Sequence, residues 1–196
     1  MKKKDLALFL GMMSGDGCLC ISNSSRGYKD YVVEFYNTNI SKMELFSDLF
    51  SKLFDSPGRI NYPDREGRKR IYKFKKYSKE IFDKIASLGI PVGLKKEKLR
   101  VPQMIKESSR EEKIAFFEGF LITDGSIRKK GDILFHSSSK VFLEELSTLI
   151  KSLFGFDKKI KEYVQNEKYF SYQLHLNKAE SEIILCHHGT MVLQPA

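Results

Sequence analysis

Apolar positions along the chain follow two different periods. Residues 44–54 and 144–154 carry apolar side chains three and four apart, the spacing that places them on one face of a helix. In residues 170–177, the apolar or aromatic side chains are Phe170, Tyr172, Leu174 and Leu176, and every other position is polar. Such alternation predicts a strand with one apolar and one polar face. The chain therefore combines amphipathic helices with half-buried strands.

The same pattern occurs twice. Segment 10–17 reads Leu-Gly-Met-Met-Ser-Gly-Asp-Gly, and segment 118–125 reads Glu-Gly-Phe-Leu-Ile-Thr-Asp-Gly. The helical pattern of 44–54 then returns in 144–154. The second pair is more closely spaced than the first, which implies an insertion in the first half within the polar, turn-rich stretch 22–30. Internal duplication of this kind predicts two similar structural halves.

Each half is predicted to run helix, strand, strand, helix, strand, strand, helix. This is an α+β fold of two pseudo-symmetric αββαββα halves, packed through the two repeated helices, with a saddle-shaped antiparallel sheet surface. The boundaries are 1–90 for the first half, 91–110 for the linker and 111–196 for the second half. The first strands are expected at 18–22 and 126–130, and the last at 70–76 and 170–176. A capping box at 108–111 is expected to open the second repeated helix.

Charge and cysteine content narrow the class of protein. The chain has 34 basic and 25 acidic residues and a formal net charge of +9, which favours a polyanionic partner. It contains no apolar stretch approaching the roughly 18 residues that a membrane span needs. The 3 cysteines argue against a disulfide scaffold and for a reducing compartment inside the cell. Cys18 and Cys20 are interpreted as ordinary thiols.

Small residues recur four apart in both repeated segments, at Gly11 and Gly15 and at Gly119 and Thr123. Facing residues of this size let two helices pack closely, which brings Asp16 and Asp124 together at the helix ends. A helix C-terminus is unfavourable for an anion, so a carboxylate pair there suggests a bound cation. Alternatively, each Asp-Gly simply ends a helix and starts a hairpin. Two copies in register favour the functional interpretation.

Both segments resemble the LAGLIDADG motif, and residues 88–102 resemble the linker before the second motif in single-chain homing endonucleases. The resemblance implies a metal-dependent DNA endonuclease that cuts both strands across the minor groove. Its metal ligands would be Asp16 and Asp124, with Gly15 and Thr123 beside them. The implied cofactor is Mg²⁺, about two or three ions, with Mn²⁺ or Ca²⁺ able to substitute for binding.

The resemblance also implies supporting residues. Asn37 matches a polar position on the second strand, where the other half has Ser137. Lys75 matches a basic position near the cut phosphate, where the other half has His175, and Lys98 in the linker is a rival for that role. The motif positions Ser14 and Ile122 depart from the usual acidic residue, and Glu118 replaces a small one. The difference between Lys75 and His175 would give unequal cutting rates on the two strands.

The partner implied is double-stranded DNA of roughly two helical turns, bound by a monomer with internal pseudo-two-fold symmetry. Polar residues at every second strand position suit readout in the major groove. The candidates are Ser22, Ser24, Arg26, Tyr36, Arg68, Arg70 and Lys73 in the first half, and Ser126, Arg128, Lys130, His136, Ser171, Gln173 and His175 in the second. Because the two sets differ, the target is expected to be partly palindromic. A solvated surface or phosphate contacts alone would also fit the basic run 65–76.

Two other functions remain open from the sequence. An intron-encoded maturase of the same fold would bind RNA and assist splicing. A DNA-binding regulator would keep the fold and lose the chemistry, and would then be expected to lack at least one motif aspartate. Both Asp16 and Asp124 are present, which favours the nuclease.

Overall fold

The computed structural model describes residues 3–23, 27–62, 71–166 and 169–187. Within these residues the chain is α+β, as predicted. The helices are α1 (Lys3–Gly15), α2 (Ile40–Phe54), α3 (Lys79–Ser87), α4 (Gln103–Lys106), α5 (Arg110–Asp124), α6 (Lys140–Phe154) and α7 (Lys178–His187). The strands are β1 (Gly17–Asn23), β2 (Lys29–Asn37), β3 (Arg59–Asn61), β4 (Tyr72–Tyr77), β5 (Gly125–Ile127), β6 (Ile133–Ser137), β7 (Lys161–Asn166) and β8 (Tyr169–Leu176).

The strands form two four-stranded antiparallel sheets with the same order. The first sheet is β1-β2-β4-β3, and the second is β5-β6-β8-β7. Their registers also match, since Glu34 lies opposite Lys75 in the first sheet and Leu134 lies opposite His175 in the second. The repeat in the sequence is therefore a repeat of strand pairing, residue by residue.

Helices α1 and α5 contain the two motifs, and we call them the motif helices. They pack against each other so closely that glycine is required where they cross. A Cβ atom on Gly11 would lie 2.1 Å from the carbonyl oxygen of Phe116, and one on Gly119 would lie 2.1 Å from that of Leu8. Neither contact leaves room for a side chain, because both neighbours are backbone atoms. The close approach predicted from the four-residue spacing is confirmed, and it joins the halves through α1 and α5.

Phenylalanine rings fill the space between each sheet and its helices. In the first half, the rings of Phe35 and Phe46 stack with centroids 4.0 Å apart. In the second half, Phe120 on α5 stacks on Phe135 with centroids 5.5 Å apart. Since Phe35 and Phe135 point into this core, their strand neighbours Glu34, Tyr36 and His136 point to the opposite side. We call that side the outer face of each sheet.

The structure differs from the predictions at several element ends. Strand β5 stops at Ile127, because a turn closed by a hydrogen bond from the Arg128 amide to the Asp132 carbonyl ends it before Lys130. The N-cap of α5 is Ser109, whose side chain accepts a hydrogen bond from the Glu112 amide, so the capping box lies one residue later than predicted. The linker adds α4 and a 3₁₀ helix at Lys96–Lys98.

No helix among residues 3–23, 27–62, 71–166 and 169–187 is both long and apolar enough to span a bilayer.

Candidate functional site

Two aspartates occupy the C-terminal ends of the crossed motif helices. Asp16 directly follows α1, and Asp124 is the last residue of α5. The helix ends touch, since a Cβ atom on Gly15 would lie 2.0 Å from the Thr123 hydroxyl and 3.4 Å from the carboxyl carbon of Asp124. Asn37 at the end of β2 donates a hydrogen bond from Nδ2 to Oδ2 of Asp16, at 2.7 Å. The structure thus places Asp16, Asp124, Gly15, Thr123 and Asn37 together.

A lysine from the linker covers the end of α1. The Lys95 Nζ donates to the carbonyl oxygens of Met13 and Ser14, each at 2.9 Å, and to that of Gly15. These are carbonyls that a helix C-terminus leaves without intrahelical partners, and a cation there also balances the helix dipole. The linker is held in place by the Gly93 amide, which donates to the carbonyl of Leu19 on β1 at 2.8 Å.

A second lysine covers the end of the other motif helix and comes from the opposite half. Lys42 lies in the first turn of α2, and its Nζ donates to the carbonyl oxygen of Ile122 on α5, at 2.6 Å. Both motif helices therefore end against an ammonium group. Neither lysine was among the residues predicted from the sequence, because only the folded chain brings residues 42 and 95 to the helix ends.

Burial shifts the pKa values of both carboxyl groups upward. Burial raises the pKa of Asp124 to about 7, with the nearby charge of Asp16 adding to the shift and Lys95 opposing it. Burial also raises the pKa of Asp16, but the hydrogen bond from Asn37 and the charges of Lys95 and Lys42 oppose that shift. For Lys95, burial lowers the pKa to about 8 against the attraction of both aspartates. Asp16, Asp124, Lys95 and Lys42 therefore form one cluster of interacting charges.

The basic residues predicted from the sequence lie elsewhere. Lys98 is exposed in the 3₁₀ helix, three residues beyond Lys95. Lys75 is on the outer face of the first sheet, with its Nζ 3.1 Å from Oε1 of Glu34. In the second half, His175 Nε2 lies 2.7 Å from Oδ2 of Asp132. Lys75 and His175 thus pair with other carboxylates, Glu34 and Asp132, and not with the aspartates of the motifs.

The motif departures have simple structural explanations for two of three positions. Ser14 is buried and its hydroxyl donates to the carbonyl of Leu10, at 2.8 Å, which satisfies its polar group inside the helix. Ile122 is buried in the core. Glu118 lies half-buried beside Lys4 and Leu8, lining a cavity between α1 and α5 away from the aspartates.

Most candidate DNA contacts share the outer faces of the two sheets. Alternation with buried core residues places there Ser22, Tyr36, Lys73, Ser126, His136, Ser171, Gln173 and His175. Arg128 and Lys130 lie beside this face in the turn after β5 and are exposed. Ser24, Arg26, Arg68 and Arg70 are outside the described residues.

Comparison with known proteins gives the fold of the chain and a family match for its second half. Residues 111–184 match the family model of the LAGLIDADG-like domain. The chain superimposes on a structure of variants of the homing endonuclease I-DmoI with a TM-score of 0.70, at 18% identity, covering 94% of each chain. It superimposes on the homing endonuclease I-WcaI bound to its DNA recognition sequence with a TM-score of 0.63, at 15% identity, covering 95% of this chain and 80% of the other.

One sequence relative is a DNA polymerase of Thermococcus sp. (strain GE8), 26% identical over 150 residues. The match covers 76% of this chain but only 8% of the length of that polymerase. The family match, the paired motifs and the fold agree with the resemblance drawn from the sequence. The chain has the fold of the single-chain homing endonucleases I-DmoI and I-WcaI, and its second half matches the LAGLIDADG-like domain family.

Proposed function

We propose that this protein is a site-specific endonuclease that makes a metal-dependent double-strand break across the minor groove of a long, partly palindromic DNA target. The observation that carries the proposal is the meeting of Asp16 and Asp124 at adjoining helix ends. Two carboxylates in a partly buried place that disfavours negative charge are stabilised when a cation binds. Two such groups side by side would also provide one carboxylate for each DNA strand.

Divalent metal fits this pair by the chemistry of its donors. Hard cations such as Mg²⁺ prefer carboxylate, carbonyl, water and phosphate oxygens. Among the described residues no three His, Cys, Asp or Glu side chains gather to hold a metal. Asp16 and Asp124 would therefore share ions with backbone carbonyls nearby, at Gly15 and Thr123, and with DNA phosphates. Crystal structures of I-DmoI with DNA were obtained with Ca, Mn and Mg. When bound, about two or three such ions would activate water and stabilise the leaving oxygen.

The side chains around the two aspartates orient the carboxylates and balance their charge. Asn37 fixes one oxygen of Asp16 and leaves the other oxygen of that carboxylate for metal. Lys95 holds the end of α1 and brings positive charge to both carboxylates, where a phosphate would also enter. Lys42 holds the end of α5 and brings positive charge to Asp16. The rigid crossing at Gly11 and Gly119 fixes the spacing of the two aspartates.

DNA would lie along the outer faces of the two sheets, which continue from the helix ends on both sides. Polar side chains at alternate strand positions can reach base edges in the major groove on either side of the cut. The two faces differ in sequence, with Lys73 and Lys75 in one half against Gln173 and His175 in the other. The two half-sites would therefore differ, and the full target would be only partly palindromic.

The test is cleavage of a duplex library with randomised sites, in Mg²⁺ and separately in EDTA. We expect one long site to be cut, only with metal, and both Asp16→Asn and Asp124→Asn to lose double-strand cleavage by about a thousandfold or more while still binding DNA. Asp48→Asn, which changes an exposed carboxylate on α2, is the matched control and should cut normally.

Two results would contradict the proposal. If duplex DNA is bound but never cut, an inactive DNA-binding regulator becomes the better explanation. If duplex DNA is neither cut nor bound while structured RNA is, the maturase alternative replaces the nuclease.

A further inference from the structure

The outer face of the first sheet contains a carboxylate that is almost completely covered. Glu34 on β2 lies between Val33 and Phe35, which both point into the core, so its own side chain points the opposite way. Despite that position, Glu34 is only 7% exposed. A charged group is this well covered only when partners surround it. Its partners therefore define what it does.

The covering groups are donors from the same face. The Tyr36 hydroxyl donates to Oε2 of Glu34 at 2.6 Å. The Nζ atoms of Lys73 and Lys75 both lie 3.1 Å from Oε1 of Glu34. The Cys20 thiol lies 3.6 Å from Oε2. Sheet register explains the convergence, because Lys75 is directly opposite Glu34 and Lys73 is opposite Tyr36 on the adjoining pair.

This arrangement leaves Glu34 ionised and leaves the lysines with donors to spare. Burial alone would raise the pKa of Glu34, but the hydrogen bonds from Tyr36, Lys75 and Lys73 outweigh it and hold the pKa below its usual value. Each ammonium group has three N–H donors, of which Glu34 engages only part. Lys73 is additionally held over the Tyr36 ring, 4.6 Å from its centroid. Two half-exposed cations are thus fixed on a surface where such side chains usually move freely.

We propose that Glu34 is a positioning residue for sequence readout, holding Lys73 and Lys75 so that they donate to guanine in the first half-site. The inference rests on the proposed function and deepens it. Guanine presents two acceptors, O6 and N7, in the major groove, and a lysine donating to them is a common specific contact. Side chains already held in one geometry lose less freedom on binding, so orientation by Glu34 favours base contacts over mobile phosphate contacts.

The second sheet shows what the face is like without this anchor. Leu134 occupies the position of Glu34, and the partners at the lysine positions are Gln173 and His175. Lysine readout held by a carboxylate is therefore confined to one half-site. A direct role for Glu34 in reading cytosine, through the N4 donor, is disfavoured because protein donors already surround both of its oxygens.

The experiment is selection of bound sequences from a randomised duplex library in Ca²⁺, comparing wild type with Glu34→Gln. We expect wild type to select guanine at one or two positions of one half-site, and Glu34→Gln to lose about tenfold discrimination at those positions only. The other half-site should be unchanged, and binding to unrelated duplex DNA should not weaken, because the variant removes a negative charge. Lys75→Met should lose discrimination at the same base pair, which ties the effect to the anchored lysine.

Glu44→Gln is the matched control, since it removes one exposed carboxylate from α2 and should leave the selected sequence unchanged. Thermal unfolding of each variant separates a loss of folding from a loss of readout. An unchanged Glu34→Gln profile on a wild type that binds selectively overturns this inference alone. A cytosine preference that disappears with Glu34→Gln overturns it in favour of direct reading by Glu34. A wild type that binds no duplex DNA overturns the proposed function as well.

Discussion

The two halves share a backbone plan but differ in the polar groups around their aspartates. Asp16 accepts a hydrogen bond from Asn37, and Lys42 of the same half reaches across to the end of α5. The equivalent positions in the second half are Ser137, which accepts from the backbone amide of Ser139, and Phe142, which is buried. The packing of the two halves is thus the same, but the polar groups that shift the pKa of each aspartate differ. The difference predicts two aspartates of unequal chemical character.

The outer faces of the sheets differ in the same way. In the first sheet, Glu34 holds two lysines. In the second, Asp132 at the start of β6 contacts His175 at 2.7 Å and Arg128 at 2.8 Å. Each face therefore has a well-covered carboxylate with two basic partners, but from different positions and with different cations. A repeated scaffold can carry two distinct recognition surfaces.

The largest expected effect concerns what the halves share, the helix crossing. Gly11→Val and Gly119→Val should each cost on the order of 3 kcal/mol or more in the free energy of unfolding, because the new side chain would overlap a backbone carbonyl of the other helix. Chemical denaturation followed by circular dichroism measures this. The two losses should be similar, since the two contacts are equivalent across the pseudo-two-fold axis.

Asp48→Ala on the exposed side of α2 serves as the control, with an expected change within about 0.5 kcal/mol. If either glycine variant unfolds at the same denaturant concentration as wild type, the crossing is not the joint between the halves that the structure indicates.

A smaller effect should separate the two aspartates. Asn37→Ala removes the hydrogen bond to Asp16 and should slow cleavage of one DNA strand by about 10- to 100-fold, the usual loss when a partner of a metal-binding carboxylate is removed. Ser137→Ala should change the cleavage rate of neither strand, because the Ser137 hydroxyl pairs with the backbone amide of Ser139 and not with Asp124. Strand-specific end labels on the duplex give both rates. Equal slowing of both strands by Asn37→Ala would mean that the two centres do not act separately.

The architecture followed from the sequence because duplication and periodicity survive in side-chain patterns. The alternation at Tyr172, Leu174 and Leu176 identified β8, and the matched spacing of glycines identified the helix crossing. Element ends were less predictable. Strand β5 is short because Gly131 adopts a positive φ of 87° and closes the turn early, a backbone preference that the polar sequence 126–130 does not reveal.

The surroundings of the aspartates were only partly predictable. Asp16 and Asp124 could be predicted because they occupy the same position in the two repeated segments, and Asn37 because it matches a polar position on the second strand. Lys42 and Lys95 reach the helix ends from a distant helix and from the linker, so only the folded chain identifies them. Lys98 is nearby in sequence, but the 3₁₀ helix turns it to solvent. Specific partners such as Glu34 with Lys75 depend on register between strands far apart in the chain.

The pH dependence of stability should also separate the two aspartates, in protein kept free of metal with EDTA. The pKa of Asp124 is about 7 in the folded protein, above its unfolded value of 3.8. The contribution of Asp124 to the free energy of unfolding is therefore highest below pH 3.8 and falls as the pH rises to about 7, because the unfolded chain gives up this proton first. Asp124→Asn removes that loss. It should stabilise the protein by on the order of 1–3 kcal/mol near pH 8 and by nothing near pH 4.

Asp16→Asn should give a smaller gain, because Asn37, Lys95 and Lys42 already offset the burial of Asp16. Thermal unfolding of both variants at the two pH values makes the comparison. A gain that is the same at both pH values, or larger for Asp16→Asn, would show that the two carboxyl groups are not shifted as their surroundings indicate.

The smallest expected effect distinguishes the outer faces of the two sheets by their charge. Lys73 and Gln173 occupy equivalent positions, opposite Tyr36 and His136 in their sheets. Replacing Lys73 by Gln removes a cation from the DNA surface and should reduce the slope of log affinity against log salt by about one, whereas Gln173→Ala should leave the slope unchanged. Titrations in Ca²⁺ at several salt concentrations measure both. An equal change of slope in the two variants would mean that Lys73 contributes no more charge to DNA binding than Gln173 does.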